Sequence, residues 1–306
     1  MKTFLIVNPE AAGGRSLRRW PYLCDQIYQR LGLFEYEFTN ASGAATVLAR
    51  KAVDGGYRRI VAVGGDGTVN EVINGLMDLH GHAVAPDILF GALPAGSGTD
   101  YWRSLGLPEQ LLPMAERLAV GTPMACDLGR VTLHWGDGRP FVRYFCNMAD
   151  VGLGGEVVHH ARQFPAWSRG RINYALATMK GLWGWRPTIM SITVDGKTLP
   201  PEPLLIALVA NGPSCGGGMC VAPQATVTSG HFELVRVQPV RWSRALALLP
   251  SLYSGRFTSA PEVQTSHARE VIIDAPEPLK VSLDGEVPGQ TRATFQICPK
   301  ALSVIV

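Results

Sequence analysis

Ile60-Val61-Ala62-Val63-Gly64-Gly65-Asp66-Gly67-Thr68-Val69-Asn70-Glu71-Val72-Ile73 changes character twice. Four consecutive apolar residues read as a buried strand, Gly64 to Thr68 as a bend, and Val69, Val72, Ile73 and Leu76 recur at helical spacing. Glycine lets backbone N–H groups approach a ligand closely, and a helix N-terminus adds its dipole, so such a loop suits phosphate. A carboxylate repels bare phosphate, which makes Asp66 a candidate to face a magnesium ion or a hydroxyl instead. Alone, the segment would serve equally well as a tight turn.

Its surroundings repeat the pattern. Upstream lie an apolar run Phe4 to Val7, a helical face through Trp20, Ile27 and Leu31, an alternating run Phe34 to Phe38, and a face at Ala45, Leu48 and Ala52; downstream lies the run Ile88 to Leu93. Strand and helix in alternation predict a parallel sheet with helical crossovers, which binds ligands at the carboxyl ends of its strands. Two further polar loops follow strands there: Asn8-Pro9-Glu10-Ala11-Ala12-Gly13-Gly14-Arg15 and Pro94-Ala95-Gly96-Ser97-Gly98-Thr99-Asp100. Three such loops at one sheet edge predict a phosphate-sized cleft. Neither G-x-x-x-x-G-K-[ST] nor G-x-G-x-x-G occurs, which excludes the Walker loop and the usual dinucleotide fingerprint.

Beyond Asp127 the texture becomes β-rich, with runs such as Val142 to Phe145, Leu204 to Val209, Phe232 to Val237 and Val281 to Leu283 between Gly and Pro. Two amphipathic helices interrupt it, one through Ile172, Met179 and Trp183 and one through Trp242, Leu249 and Tyr253. The 306 residues therefore read as two domains, 1–127 and 128–306, with the last strand packing back on the first. Hydrophobic residues at 46% against 17% charged exclude a disordered chain, and 28 basic against 25 acidic residues, a net charge of +3, are too balanced to suggest bulk nucleic-acid binding, though they leave room for a local basic face. Six scattered cysteines form neither a disulfide framework nor a zinc set. The N-terminal apolar run is too short for a signal segment and no stretch is long enough to span a bilayer, so the expectation is a cytoplasmic protein, peripheral on a membrane at most.

N-P-x-A-x-G at Asn8, G-G-D-G-T-x-N-E at Gly64 and P-x-G-S-G-x-D at Pro94 together resemble the diacylglycerol kinase catalytic-domain superfamily, which includes bacterial lipid kinases and sphingosine kinases. The resemblance continues in family order through Asp127, Asn147 with Gly152, Ala222-Pro223-x-Ala225, and Leu283-Asp284-Gly285-Glu286. It implies an α/β N-terminal domain of Rossmann-like, NAD-kinase/diacylglycerol-kinase type that binds ATP, an all-β, sandwich-like C-terminal domain for the lipid, and a cleft between them. By position it assigns Asn8, Thr39, Gly64, Gly65, Asp66, Gly67, Thr68, Asn70, Glu71, Gly96, Ser97, Thr99 and Asp100 to ATP, and Asp66 to the Mg2+ network. Asp127, Asn147 and Asp284 fall to the substrate side, and Glu286 to the proton acceptor. A carboxylate suits that task because a lipid hydroxyl is a poor nucleophile. Leu283 to Glu286 also reads as a plain hairpin turn, and both readings hold if the turn presents Glu286.

The resemblance implies an accessory Mg2+ site after Ala225, yet Thr226-Val227-Thr228-Ser229-Gly230-His231 places Ser229 at the family's aspartate, and a hydroxyl is the weaker ligand. Thr99 likewise replaces an asparagine. G-G-D-G occurs in NAD kinases too, leaving an NAD kinase-like phosphotransferase as the alternative, beside a catalytically weak nucleotide or lipid sensor. The expected partners are a lipid at a membrane surface and a second copy of the chain, with no nucleic acid. Interfacial contact is expected from Trp167, Tyr174, Trp183 and Trp185 with Arg169, Arg171, Lys180 and Arg186, and from Trp242, Tyr253 and Phe257 with Arg241, Arg244 and Arg256. His80-Gly81-His82 and His159-His160 have no supporting ligands and read as surface residues; Cys215 and Cys220 flank Gly216 to Gly218 with no charged neighbour to activate a thiolate.

Overall fold

The computed structural model describes residues 1–96, 98–135, 137–163 and 171–306. These divide into two units, Met1–Asp127 with Lys300–Val306, and Leu128–Pro299.

The first unit comprises β1 (Thr3–Val7), α1 (Ala11–Leu31), β2 (Glu35–Phe38), α2 (Ala44–Asp54), β3 (Arg59–Gly64), α3 (Asp66–Leu76), β4 (Leu89–Pro94), α4 (Asp100–Ser104) and α5 (Leu111–Val120). Its strands are parallel, in the order β4-β3-β1-β2. Helical crossovers cover such a sheet, so its inner strands are apolar throughout: Leu5 to Val7 and Ile60 to Val63 are fully buried. The pairings Val7 with Val63 and Val63 with Leu93 put the ends of β1, β3 and β4 level, and all three glycine-rich loops leave from that one edge. The span of α1 opens on three left-handed residues, Ala12 to Gly14, so regular helix begins after the first loop has turned.

The second unit opens within β5 (Pro123–His134) and continues through β6 (Pro140–Phe145), β7 (Met148–Gly152), α6 (Leu153–Gln163), α7 (Arg171–Gly184), β8 (Thr188–Val194), β9 (Lys197–Thr198), β10 (Glu202–Leu204) and β11 (Ile206–Ala210). There follow β12 (Ser214–Cys215), β13 (Met219–Cys220), β14 (Phe232–Val237), α8 (Trp242–Ser254), β15 (Val263–Ala268), β16 (Glu270–Asp274), β17 (Lys280–Leu283), β18 (Glu286–Gln290) and β19 (Ala293–Ile305). An antiparallel sheet runs β15-β14-β11-β7-β17-β18. A second set of strands pairs β10-β8-β16 with the Ala293 end of β19. The period of two along each strand sorts the side chains into two cores. Ala207 and Val209 of β11, with Phe232 and Leu234 of β14, point into the space between the sheets, where Phe145 stacks on Phe232 at 5.7 Å. Leu208 and Ala210, with Val235 and Val237, point the other way, beneath Val157, Ala177 and Leu248 of α6, α7 and α8.

The α/β first unit and the β-sandwich agree with the sequence. A third helix, α6, was not expected: Gly154 and Gly155 in its first turn weaken the helical pattern. The end of β19 returns to the first unit, where Ser303 and Val304 pair in parallel with Leu89 and Phe90 of β4.

Candidate functional site

In the first unit the second and third loops meet backbone to backbone. A Cβ on Gly96 would stand 2.6 Å from Gly65 Cα, and one on Gly98 would stand 2.6 Å from Asp66 Oδ2, so neither position has room for a side chain. Asp66 closes the contact: Oδ2 accepts the Asp100 N–H at 3.1 Å and Oδ1 the Tyr101 N–H at 3.0 Å, tying the start of α3 to the start of α4. The first loop joins through Asn8, whose Nδ2 donates to Thr68 Oγ1 at 3.0 Å while its Oδ1 accepts the Glu10 N–H. Thr39 lies at the same edge, its N–H donating to the Val7 carbonyl. The structure therefore gathers Asn8, Thr39, Gly64 to Thr68, Gly96, Thr99 and Asp100; Ser97 lies outside the described residues. Arg103, which sequence reasoning missed, pairs with both Asp100 and Glu109, and Thr99 Oγ1 donates to Glu109 at 2.6 Å.

Three expected site residues have other work here. Glu71 accepts the Gly43 and Ala45 N–H groups at the N-terminus of α2, a capping arrangement. Asn70 is 2% exposed and accepts two hydrogen bonds from Asn74. Asp127, also 2% exposed, accepts the Lys300 N–H at 2.7 Å where β19 re-enters the first unit, so its visible part is a clasp between chain segments.

In the second unit, Leu283-Asp284-Gly285-Glu286 is a two-residue hairpin with φ of +48° at Asp284 and +84° at Gly285, the pair of left-handed residues that a type I′ turn demands. Asp284 turns back to accept three backbone N–H groups, from Cys146, Asn147 and Met148, at 2.8, 3.0 and 2.9 Å, and the Cys146 thiol at 3.2 Å. Its carboxylate is a structural anchor, and Glu286, half-buried, opens β18 immediately beyond it. Asn147 is held beside the anchor, donating through Nδ2 to the Ser214 carbonyl at 3.0 Å, while its Oδ1 is buried with no hydrogen-bond partner among the described residues.

The comparisons with known proteins agree with this layout. Residues 2–131 match the diacylglycerol kinase catalytic domain and residues 147–306 the YegS C-terminal NAD kinase beta sandwich-like domain. The chain belongs to the diacylglycerol kinase catalytic-domain family. A diacylglycerol kinase of Mycobacterium tuberculosis is 30% identical over 306 residues, covering 99% of this chain and 94% of the relative. One from Bacillus subtilis is 28% identical over 275 residues, covering 88% and 86%. In fold, a diacylglycerol kinase crystal structure from Bacillus anthracis superposes with a TM-score of 0.78 at 21% identity, over 99% of this chain and 96% of that one. The protein is accordingly a phosphotransferase with an alcohol acceptor, from a family of lipid kinases.

The accessory cation site implied by Thr226, Ser229 and His231 does not fit these residues. Ser229 Oγ donates to the His231 carbonyl at 2.7 Å, and nearby Glu233 accepts the Gln224 N–H at 3.0 Å. Ser229 and Glu233 are thus engaged in the turn itself, while His231 Nδ1 is buried with no hydrogen-bond partner among the described residues. His80 and His82 belong to a loop whose N–H groups bond to Asp78. Burial pushes the Cys220 thiol up, with the Glu233 charge adding to it, which is the reverse of thiolate activation.

Asp150 of this kinase was not singled out by the sequence. It lies on the helix-covered face of β7, 9% exposed, and its Oδ1 would stand 1.8 Å from a Cβ at residue 154, which explains glycine there. Burial raises its carboxyl from 3.8 to about 7, against a smaller opposing effect of the Ser282 hydrogen bond. The fold thus holds the proton more tightly than the unfolded chain does; stability is fullest below the unfolded value and declines as pH rises through the window from about 4 to about 7. Asp150→Asn is expected to abolish that decline and, above pH 7, to raise stability by on the order of 2 kcal/mol. Thermal melts from pH 5 to 8.5 check it, and parallel curves for the two proteins contradict it.

Proposed function

We propose that the chain transfers the γ-phosphoryl group of ATP to the hydroxyl of a membrane lipid. The observation that carries this reading is the locking of three glycine-rich loops at one sheet edge by Asn8, Thr68 and Asp66, which holds backbone amides and the start of α3 ready for phosphate. Asp66, a hard oxygen donor fixed by two amides, would hold the Mg2+ that accompanies the nucleotide; that ion, when bound, neutralises developing phosphate charge. Glu286 takes the proton of the acceptor hydroxyl as the new oxygen–phosphorus bond forms and the bond from the γ-phosphorus to the β–γ bridging oxygen breaks, giving ADP and a phosphorylated lipid. Asp284 keeps the turn before Glu286 fixed, so the base needs no reorganisation when substrate arrives.

Diacylglycerol is the first acceptor to test, since the two relatives above carry it in their names. A purified sample with radiolabelled ATP and Mg2+ is expected to label one lipid class in mixed micelles offering diacylglycerol, a sphingoid base, ceramide and phosphatidylglycerol. Mass spectrometry identifies the product. Label in NAD, or nucleotide binding with no transfer at any magnesium concentration, would overturn the proposal.

A further inference from the structure

Four large apolar residues stand in solvent on two helices of the second unit. Trp183 and Leu176 of α7 are 83% and 45% exposed; Trp242 and Leu246 of α8 are 36% each. The two indoles meet edge to face, with ring centroids 5.9 Å apart, so they form one patch. The opposite sides of the same helices are already seated: Ala177 and Leu248 are buried in the core, with Leu182 packed against it. Burial in this unit therefore explains one face of each helix and leaves the other unexplained. The structure also narrows the aromatic residues expected at an interface. Trp185 and Phe257 pack inward, Tyr253 is half-buried, Trp167 and Arg169 lie outside the described residues, and the side chains of Arg171 and Tyr174 are not among those described.

Charge decides what covers the patch. From Arg171 to Val194 and from Gln238 to Pro261 there is no Asp or Glu, while Lys180, Arg186, Arg241 and Arg256 fall within these stretches; Arg244 of α8 is already paired with Glu262, just beyond the second. Indole rings favour the boundary between hydrocarbon and headgroups, and Lys and Arg beside them can keep their charge among anionic headgroups. A second copy of the chain would bring the same cations face to face, since a two-fold contact pairs a patch with itself. Among the described residues no helix is long and apolar enough to cross a membrane, so any contact is lateral.

We propose that the outer edges of α7 and α8, centred on Trp183 and Trp242, dock the protein on an anionic bilayer surface. The inference rests on the lipid-acceptor reading above and adds the surface by which that acceptor is reached. The test uses the full chain with phosphatidylcholine vesicles, with and without phosphatidylglycerol. Wild type is expected to sediment with the anionic vesicles, less so at high salt, and its tryptophan emission is expected to shift to the blue. Trp183→Ser with Trp242→Ser should weaken vesicle binding about ten-fold or more, with unchanged circular dichroism and unchanged turnover of a short-chain diacylglycerol dispersed in detergent. Vesicle binding equal to wild type in that variant overturns the proposal, as does a wild-type dimer that the two substitutions dissociate. Vesicle binding without phosphorylation of any dispersed lipid keeps the docking surface and overturns the acceptor instead.

Discussion

Glu286→Gln is expected to lower turnover by about a thousand-fold while leaving nucleotide affinity within about two-fold of wild type, in line with removal of a general base. The amide has the size and shape of the carboxylate but cannot take up a proton, so the substitution subtracts one chemical capacity and little else. The hairpin geometry rests on Asp284 and Gly285, both unchanged, and the β17–β18 pairing rests on backbone groups. The loops assigned to nucleotide belong to the first unit and are tied by Asn8, Thr68 and Asp66. Steady-state turnover with a titration of nucleotide binding separates the two quantities. Turnover within ten-fold of wild type would remove Glu286 as the base; a parallel loss of nucleotide affinity would assign it to binding instead.

What the sequence reveals here and what it conceals divide by range. The strand–loop–helix unit at Ile60 to Ile73 is local: an apolar run, glycines and helical spacing lie within fourteen residues of chain, and the structure returns β3 as read, while α3 begins at Asp66, inside the stretch read as a bend. The Asp-Gly turn before Glu286 is local too, since the residue pair itself dictates the turn type. By contrast, the partners of each carboxylate are distant. Asp66 bonds to amides 34 and 35 residues away, Glu71 caps a helix 26 and 28 residues upstream, and Asp284 grips a segment 136 to 138 residues before it. A carboxylate next to glycines reads equally as ligand, cap or anchor until those amides are placed. Asp150 shows the same limit: alternation puts it on one face of β7, but only the helix laid over that face makes it buried and forbids a side chain at residue 154.

The anchoring role of Asp284 has a control built into the same unit. Val194-Asp195-Gly196-Lys197 is a second hairpin of the same type, with φ of +48° at Asp195 and +80° at Gly196, and its Oδ1 accepts the Arg269 and Glu270 N–H groups at 2.9 and 2.8 Å. Both aspartates therefore perform one structural task, and the residue that follows each turn is what differs: an exposed Lys197 in one, Glu286 in the other. Replacing either by Asn keeps the side-chain shape and the tolerance for positive φ but removes the negative charge, and at residue 284, where both oxygens accept, it also sets an NH2 against a backbone donor. Asp284→Asn is expected to lose about 1.5 to 3 kcal/mol of stability, the range for hydrogen bonds to a charged group, and the exposed Asp195→Asn less. Only Asp284→Asn should also reduce turnover strongly, by about a hundred-fold, because a misplacement of the base by about 1 Å has an effect of that size. The decisive measurement is the double variant: if Asp284 acts by positioning Glu286, Asp284→Asn adds almost nothing to the loss already caused by Glu286→Gln. Losses that multiply, or an Asp195→Asn protein as inactive as Asp284→Asn, would show that the anchor serves the fold alone and that the base is placed by something else.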